Sequence, residues 1–455
     1  MDQTIAAIST AVGEAGIGIV RMSGKDALYI GKEIFKSTRD NFQFENKKLH
    51  YGHIVDEGKV LDEVLIAFMK APNTYTREDM VEIYSHGGII PVKKILELCL
   101  KKGARLAERG EFTKRAFLNG RLDLTQAEAV IDIIKAKSEK SYEVSLRQLE
   151  GSITQEVLEI QDILMRMMAF IEANIDFPED EVEEISHKTL LEDAKKAEKR
   201  IKKLIDSFDR GKILRDGLNT VILGKPNVGK SSLLNAILKE NRAIVTDIPG
   251  TTRDIIEEYI NIDGIPLKLA DTAGIRETED YVEKIGVLKT KETINTADLV
   301  IALFDVSSHI TDEDKEIMEL VKDKKTIIML NKTDLEKKLD ENYFIENFPN
   351  ARIINSSITT GVGIEELIET IKDMFYKEDI KIESEVVLTN IRHKEMLSKA
   401  YKSILELEEE IALNEPIDCL EVDIKDAWES LGQITGQSIT EDILDKIFSE
   451  FCIGK

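Results

Sequence analysis

Thr220-Val-Ile-Leu-Gly224-Lys-Pro-Asn-Val-Gly229-Lys230-Ser231-Ser-Leu-Leu-Asn-Ala236 is the stretch that decides the fold. An apolar strand runs into a glycine-spaced loop, and the loop runs into a helical pattern. G-x-x-x-x-G-K-[ST] between strand and helix is the phosphate-binding loop. Gly224 and Gly229 let backbone N–H groups curl around phosphate oxygens at a helix N-terminus, where the dipole favours anions. Lys230 reaches the β- and γ-phosphates, the Ser231 hydroxyl can hold Mg²⁺, and Asn227, Val228 and Ser232 complete the loop.

Two downstream segments choose the base and the chemistry. Asp271-Thr272-Ala273-Gly274 follows the strand Pro266–Ala270, where a carboxylate can orient Mg²⁺ and a glycine N–H can sense the γ-phosphate. Asn331-Lys332-Thr333-Asp334 follows the strand Thr326–Leu330. The Asp334 carboxylate can accept both N–H donors of guanine, whereas adenine would leave it unpaired. An isolated Asn-Lys-x-Asp is more often an ordinary turn; three such segments in order, each at a strand end, point to GTP. The strands expected around them are Thr220–Leu223, Glu257–Ile262, Leu267–Ala270, Leu299–Phe304, Thr326–Leu330 and Arg352–Ile354. Alternating with helices, they predict a doubly wound, mostly parallel sheet.

Outward from this unit the texture changes on both sides. Residues 1–118 mix β-rich runs (Ile17–Met22, Val64–Met69, Met80–Tyr84) with a helical stretch from Pro91 to Lys102, an α+β unit. Residues 119–212 read as long helices broken near Asp176-Phe-Pro178, opened by a capping box at Thr125-Gln-Ala-Glu128. After the sheet unit, 213–374, residues 375–455 return to helix over Asn390–Leu413 and Glu421–Phe451, with a second box at Ser438-Ile-Thr-Glu441. The expected architecture is an α/β multidomain chain: an N-terminal α+β domain, and an all-α domain into which a Ras-like P-loop GTPase domain with a doubly wound mixed sheet is inserted.

The 455 residues carry a net charge of −24, with 42% hydrophobic and 33% charged side chains. That composition fits a soluble globular chain of two to four domains. No apolar run approaches the ~18–20 residues of a membrane span, and the N-terminus does not read as a secretory signal. Three scattered cysteines exclude a disulfide framework, so a reduced, cytoplasmic chain is expected. The charge excludes a protein that simply coats nucleic acid. Residues 1–118 have 18 basic and 16 acidic side chains, against 20 and 30 over 213–373. The GTPase and helical parts therefore read as poor RNA binders, with the N-terminal part or a basic partner the expected contact. Gly13-Glu-Ala-Gly16-Ile-Gly18 lacks the third glycine of a dinucleotide fingerprint, and His50, His53 and His86 lack partners at metal spacing.

Further marks are Thr4-Ile-Ala-Ala-Ile-Ser-Thr10 with Gly18-Ile-Val-Arg21, Gly110-Glu-Phe-Thr-Lys-Arg-Ala-Phe-Leu-Asn119, Ile175-Asp-Phe-Pro178, and the terminal Phe451-Cys-Ile-Gly-Lys455. With the GTPase motifs, the whole chain resembles the TrmE-type tRNA modification GTPases of the TrmE-Era-EngA-YihA-Septin-like family. Many small GTPases place a water-orienting glutamine after Asp-x-x-Gly, but this chain has Ile275. Glu277, Glu279, Asp280 and Glu283 are equivalent by position, and the resemblance favours Glu283. Arg253 and Arg276 could neutralise transition-state charge. The resemblance implies K⁺ instead, held by the Asn227 and Thr251 side chains and the Thr246 and Ile248 carbonyls. Asp247, Pro249 and Gly250 belong to the same loop, and Thr252 joins Ser231 on Mg²⁺. Ser357-Ile358 stands at the guanine-contacting pair, where Ser-Ala is usual.

For the chain ends the resemblance implies binding of 5-formyl-tetrahydrofolate or a related derivative through Arg21, Glu82, Arg121 and Lys455. Singly, each would read as a surface ion-pair residue. Cys452 by itself would be a small buried hydrophobe; the resemblance makes it a candidate reactive thiol. The implied partners are a second copy through the N-terminal domain (a homodimer), tRNA, and an FAD-dependent MnmG/GidA subunit in a heterotetramer. The implied reaction adds a carboxymethylaminomethyl-type group at C5 of the wobble uridine. The competing class is a GTP-driven ribosome or RNA assembly factor; a membrane iron-transport GTPase fails for lack of a spanning helix.

Overall fold

The computed structural model describes residues 3–39, 42–176, 183–240, 258–269, 294–375 and 385–455. The N-terminal unit is a seven-stranded sheet in the order β3-β4-β5-β6-β2-β1-β7. Its strands are β1 (Ile5–Ile8), β2 (Gly18–Ser23), β3 (Phe35–Ser37), β4 (Leu49–Asp56), β5 (Lys59–Met69), β6 (Met80–Ser85) and β7 (Arg105–Leu106). All pairings are antiparallel except β1 with β7. Alternation sends Val20, Met22, Ile66, Phe68, Val81 and Ile83 to one core beneath helices α1 (Ala27–Ile34) and α2 (Ile89–Lys101). On β1 the alternate residues Ile5 and Ala7 face a smaller core with Phe112 of α3 (Glu111–Leu118).

The helical unit begins with α4 (Leu124–Lys135), α5 (Glu139–Leu149), α6 (Ser152–Asp176) and α7 (Glu183–Asp216). The capping box that opens α4 lies two residues before the expected one. Asp123 is the N-cap and pairs reciprocally with Gln126, because its carboxylate is the stronger acceptor, and the Thr125 hydroxyl donates to that same carboxylate. The expected long helices are also interrupted, by the Ser138 cap and by Gly151 at φ +95°.

After α7 the chain enters a six-stranded sheet of order β13-β12-β11-β8-β10-β9. The strands are β8 (Leu218–Leu223), β9 (Glu258–Ile262), β10 (Ile265–Leu269), β11 (Leu299–Asp305), β12 (Thr326–Asn331) and β13 (Arg352–Asn355). Only β9 runs antiparallel. Strands β11 and β12 are buried at every position, as central strands covered on both faces must be.

The chain then returns to helices 391–412, 421–435 and 441–449. Leu397, Ile404 and Leu431 from this segment share one core with Ile160, Leu164, Ile201 and Phe208 from before the sheet, so the GTPase unit is an insertion in a single helical unit. The expected 421–451 helix breaks at Gly436, whose φ is +91° and whose Cβ position would lie 2.9 Å from the Phe117 ring. The last helix starts at Thr440 without a side-chain cap, so Ser438-Ile-Thr-Glu441 is not a capping box.

Candidate functional site

The phosphate loop joins β8 to helix α8 (Lys230–Glu240). Gly224 (φ +157°) and Gly229 (φ +113°) have no room for a side chain. A Cβ on Gly224 would meet the Leu303 carbonyl at 2.9 Å, and one on Gly229 the Asn331 Nδ2 at 2.6 Å. Lys230 folds over the loop, its ammonium donating to the Gly224 (2.7 Å) and Lys225 (3.0 Å) carbonyls, and burial pushes its pKa down. Asn227 sits exposed at the crest with φ +60°, a region that asparagine tolerates better than most residues. Val228 is buried beneath the loop, whereas Ser231 and Ser232 are exposed at the start of α8.

The segments expected to contact guanine are tied to this loop by Asn331. Its Nδ2 donates to the Val228 carbonyl at 2.8 Å, and its Oδ1 accepts the Ile358 N–H at 3.2 Å. Ser357 donates to the Asp334 carboxylate at 2.6 Å, and the Thr333 N–H donates to the Ser356 carbonyl. The structure thus brings Asn331, Asp334, Ser357 and Ile358 together against the phosphate loop. Lys332, at φ +68°, turns back to Asp305 at 2.6 Å. Burial raises the Asp305 pKa, but Lys332 and Ser307 outweigh it and hold the carboxyl below its ordinary value.

The turn after β11 holds residues the motifs did not reveal. Lys225 donates to Asp314 and to Ser308, both at 3.0 Å. Asp314 is 1% exposed and forms a capping box with Thr311 at the start of helix 312–321. The signal was present as Thr311-Asp-Glu-Asp314, the spacing of a capping box. One turn therefore grips the phosphate loop through Lys225 and the guanine loop through Lys332. Thr246, Asp247, Ile248, Pro249, Gly250, Thr251, Thr252, Asp271, Thr272, Ala273, Gly274 and Glu283 lie outside the described residues.

A second polar site forms on the N-terminal sheet. Arg21 on β2 and Glu82 on β6 are register partners, and the Arg21 Nε donates to Glu82 at 2.8 Å. Tyr84 donates to the other Glu82 oxygen at 2.6 Å; burial first and Glu82 second push its phenol up to about 12. The Arg21 guanidinium lies 5.9 Å from the Tyr75 ring centre and 5.7 Å from that of Phe112, while Arg121 lies 4.7 Å from Tyr75.

The C-terminal tail completes this corner. The Gly454 carbonyl accepts from Ser9 (3.1 Å) and Arg21 (3.3 Å), and the Lys455 carbonyl accepts the Phe112 N–H at 3.2 Å. Gly454 has φ +92°, and a Cβ there would collide with the Ile8 carbonyl. Cys452 is exposed beside this contact, its carbonyl accepting the Gly110 N–H. Arg21, Glu82, Arg121 and the tail thus meet across more than 400 residues of chain. Phe112, within the quoted Gly110–Asn119 segment, and Tyr75 supply the rings and Tyr84 a hydroxyl; no motif signalled the two tyrosines.

Helix α4 links the two regions. Its Glu128 is paired with Arg392 (2.9 Å) and His393 (2.7 Å), and Asp132, one turn on, with Arg215 (2.9 Å). Burial raises the Glu128 pKa, but the charges of His393 and Arg392 win and hold it at about 2; burial pushes Asp132 up. Arg215 precedes the GTPase sheet and Arg392 follows it. The adjoining face of α4 packs Leu124, Ala127 and Ile131 against Phe448 and Phe451, the base of the tail.

The family model described as GTP-binding protein TrmE N-terminus matches residues 4–121, and that of the MnmE helical domain matches residues 124–452. Curated proteins named tRNA modification GTPase MnmE from Clostridioides difficile and Finegoldia magna are 55% and 54% identical, over the full length of both chains in each case. Among solved structures, the G domain of the T. maritima FeoB iron transporter is 27% identical, covering 34% of this chain and 96% of that one with a TM-score of 0.25. The chain belongs to the MnmE family of tRNA modification GTPases.

Proposed function

We propose that GTP turnover by this chain drives the addition of a carboxymethylaminomethyl-type group to C5 of the wobble uridine of certain tRNAs. The one-carbon unit comes from 5-formyl-tetrahydrofolate or a related derivative. The chain works in the cytoplasm as a homodimer through its N-terminal domain, with an FAD-dependent subunit of the MnmG/GidA type. The observation that carries this reading is the closure of the C-terminal tail on the N-terminal sheet beside Arg21 and Glu82, a polar site that a GTPase unit alone does not possess.

The donor sets fit the groups they would hold. Glu82 and the guanidinium groups of Arg21 and Arg121 suit the N–H donors and carboxylates of a folate, and the Tyr75 and Phe112 rings offer a flat wall for its pterin. At the loop crest Asn227 presents an exposed carboxamide, an oxygen donor suited to K⁺, and the exposed Ser231 hydroxyl suits Mg²⁺. Bound there, K⁺ supplies the positive charge that other GTPases draw from an arginine. Lys230 and the loop N–H groups bind the phosphates, Asp334 selects guanine, and Glu283 is assigned to orienting the attacking water. Cys452 is assigned as the exposed thiol at the one-carbon site.

Two measurements test the reading. Nucleoside mass analysis of tRNA from cells lacking the protein should show loss of the C5 modification, and an unchanged wobble uridine would sink it. GTP turnover should be faster in K⁺ than in Na⁺ and lose that difference in Asn227→Ala; equal wild-type rates in both salts reject the potassium site.

A further inference from the structure

Helix α7 carries a charge pattern opposite to that of the chain as a whole. From Lys195 to Lys212 eight side chains are basic and three acidic, in a protein of net charge −24. The apolar stripe of this helix, Ala194, Ala197, Ile201, Leu204 and Phe208, is buried in the helical core. Beside that stripe, Lys195, Lys199, Lys202, Lys203 and Arg210 line a single open cavity of about 540 Å³. Their spacing keeps them along one side of the helix, over about 22 Å at the helical rise per residue.

The three acids in the same cavity do not neutralise the row. Glu198 accepts a hydrogen bond from Tyr401 at 3.0 Å, and Glu385 faces Lys203 at 3.7 Å. Three acids therefore stand against five cations in the lining, a net of +2, and Lys195, Lys199, Lys202 and Arg210 form no ion pair among the described residues. Lys195, Lys199 and Lys202 repel one another at i, i+4 and i+7; Glu198 four residues before Lys202 and Asp206 four before Arg210 offset part of this and leave the face net positive.

We propose that this row on α7 holds the phosphate backbone of a tRNA duplex segment. Lys195, Lys199 and the Lys202/Lys203 pair lie about one 5.4 Å turn apart along a straight helix, with Arg210 about two turns further on, a repeat that suits phosphates along one strand. Among the described residues Val386 is the only apolar one in the lining. With no aromatic ring lining the cavity among the described residues, the chemistry is that of backbone recognition. A lipid surface is excluded by the burial of the helix's apolar stripe, since an interfacial helix must insert that face. An acidic peptide would gain charge contacts but no apolar anchor. The inference rests on the reading of the chain as a tRNA-modifying GTPase and adds to it the surface that meets the RNA. It also revises the expectation from net charge that the helical part is a poor RNA binder.

The test uses the full chain. Lys195→Gln/Lys199→Gln/Lys202→Gln, Lys→Arg at the same three positions, and a control Lys322→Gln/Lys324→Gln/Lys325→Gln are compared for binding of unmodified tRNA between 50 and 200 mM KCl (roughly the range over which phosphate contacts show their salt dependence). Losing three phosphate contacts on a duplex should lower the slope of log K against log salt by about 2.7, and the affinity near 0.1 M by roughly 500-fold. The arginine variant should keep both, the control should change little, and GTP turnover without tRNA should be the same in all. An unchanged slope in the α7 variant, an equal loss in the control, or wild-type chain that does not bind tRNA overturns the proposal. Polyglutamate bound as tightly as tRNA and lost in the same variant overturns the RNA assignment. A slope that falls as expected while the wobble uridine is unchanged in cells lacking the protein would leave the surface standing and reject the modification reading.

Discussion

The nucleotide loop and the corner where the tail meets the N-terminal sheet are built in opposite ways. The loop is contiguous: Gly224 to Ser231 follow one strand, and Lys230 is held by carbonyls five and six residues away. The corner is assembled from β2, β6, α3 and the last residues of the chain, with Arg21 and Gly454 separated by 433 positions. A contiguous site needs only its own strand, turn and helix. A dispersed one also needs the helical unit that carries Phe448 and Phe451 back to α4. Changes in the first should therefore stay local, while changes in the helical unit should reach the second.

The sharpest way to break that contrast is at α4. Glu128→Ala leaves Arg392 and His393 buried without their anion, and about 3–5 kcal/mol of stability should be lost, read as a fall in the thermal midpoint. Midpoints within a degree of wild type would show that α4 does not hold the regions together. The pH dependence has a definite sign. Glu128 is held at about 2 in the folded chain against an ordinary 4.5. Its contribution is present above the ordinary value and disappears as the pH falls through about 2. The gap between wild type and Glu128→Gln, on the order of 3 kcal/mol by linkage, should close across that window. Asp132, with its pKa raised, acts in the opposite sense.

Gly229→Ala should weaken GTP binding by about 100-fold, since strain at φ +113° adds to loss of the Asn331–Val228 hydrogen bond. Binding of 5-formyl-tetrahydrofolate should not change; calorimetry with both ligands reads the difference. Gly454→Val is the mirror experiment. The side chain collides with the Ile8 carbonyl, so folate affinity should fall about 10-fold with GTP turnover intact. A loss of both activities would contradict the separation of the sites. The smallest effect is expected from Asp314→Asn, which weakens the grip on Lys225. GDP release should quicken by about 5-fold, roughly one charge-assisted hydrogen bond, with kcat little altered.

The strands of the GTPase sheet were legible because their apolar runs are bounded by motifs: Thr326–Leu330 became β12, one residue longer. The guanine loop was legible for the same reason. Helix ends were less so. Thr125 and Ser438 sit at capping-box spacing, but Asp123 captures the first start and Gly436 with Thr440 resets the second. A spacing pattern cannot tell which of two neighbouring acceptors wins. Lys225 occupies a variable position of the loop motif, and the capping-box spacing that marks Asp314 says nothing of Lys225, which comes from another part of the chain, so their pairing had no local sign.

By itself the sequence determined the strand–loop–helix of the phosphate loop, the Asn331–Asp334 turn after β12, the doubly wound sheet and its insertion between helices. Each depends on residues within a few turns of one another, where backbone geometry follows local residue type. Tertiary structure alone decided that Tyr75 and Phe112 flank Arg21, that Glu128 and Asp132 seize the arginines at both crossings into the GTPase unit, and that the cations of α7 share one cavity. Those juxtapositions depend on which faces the cores bury, and burial is a property of the whole packed chain.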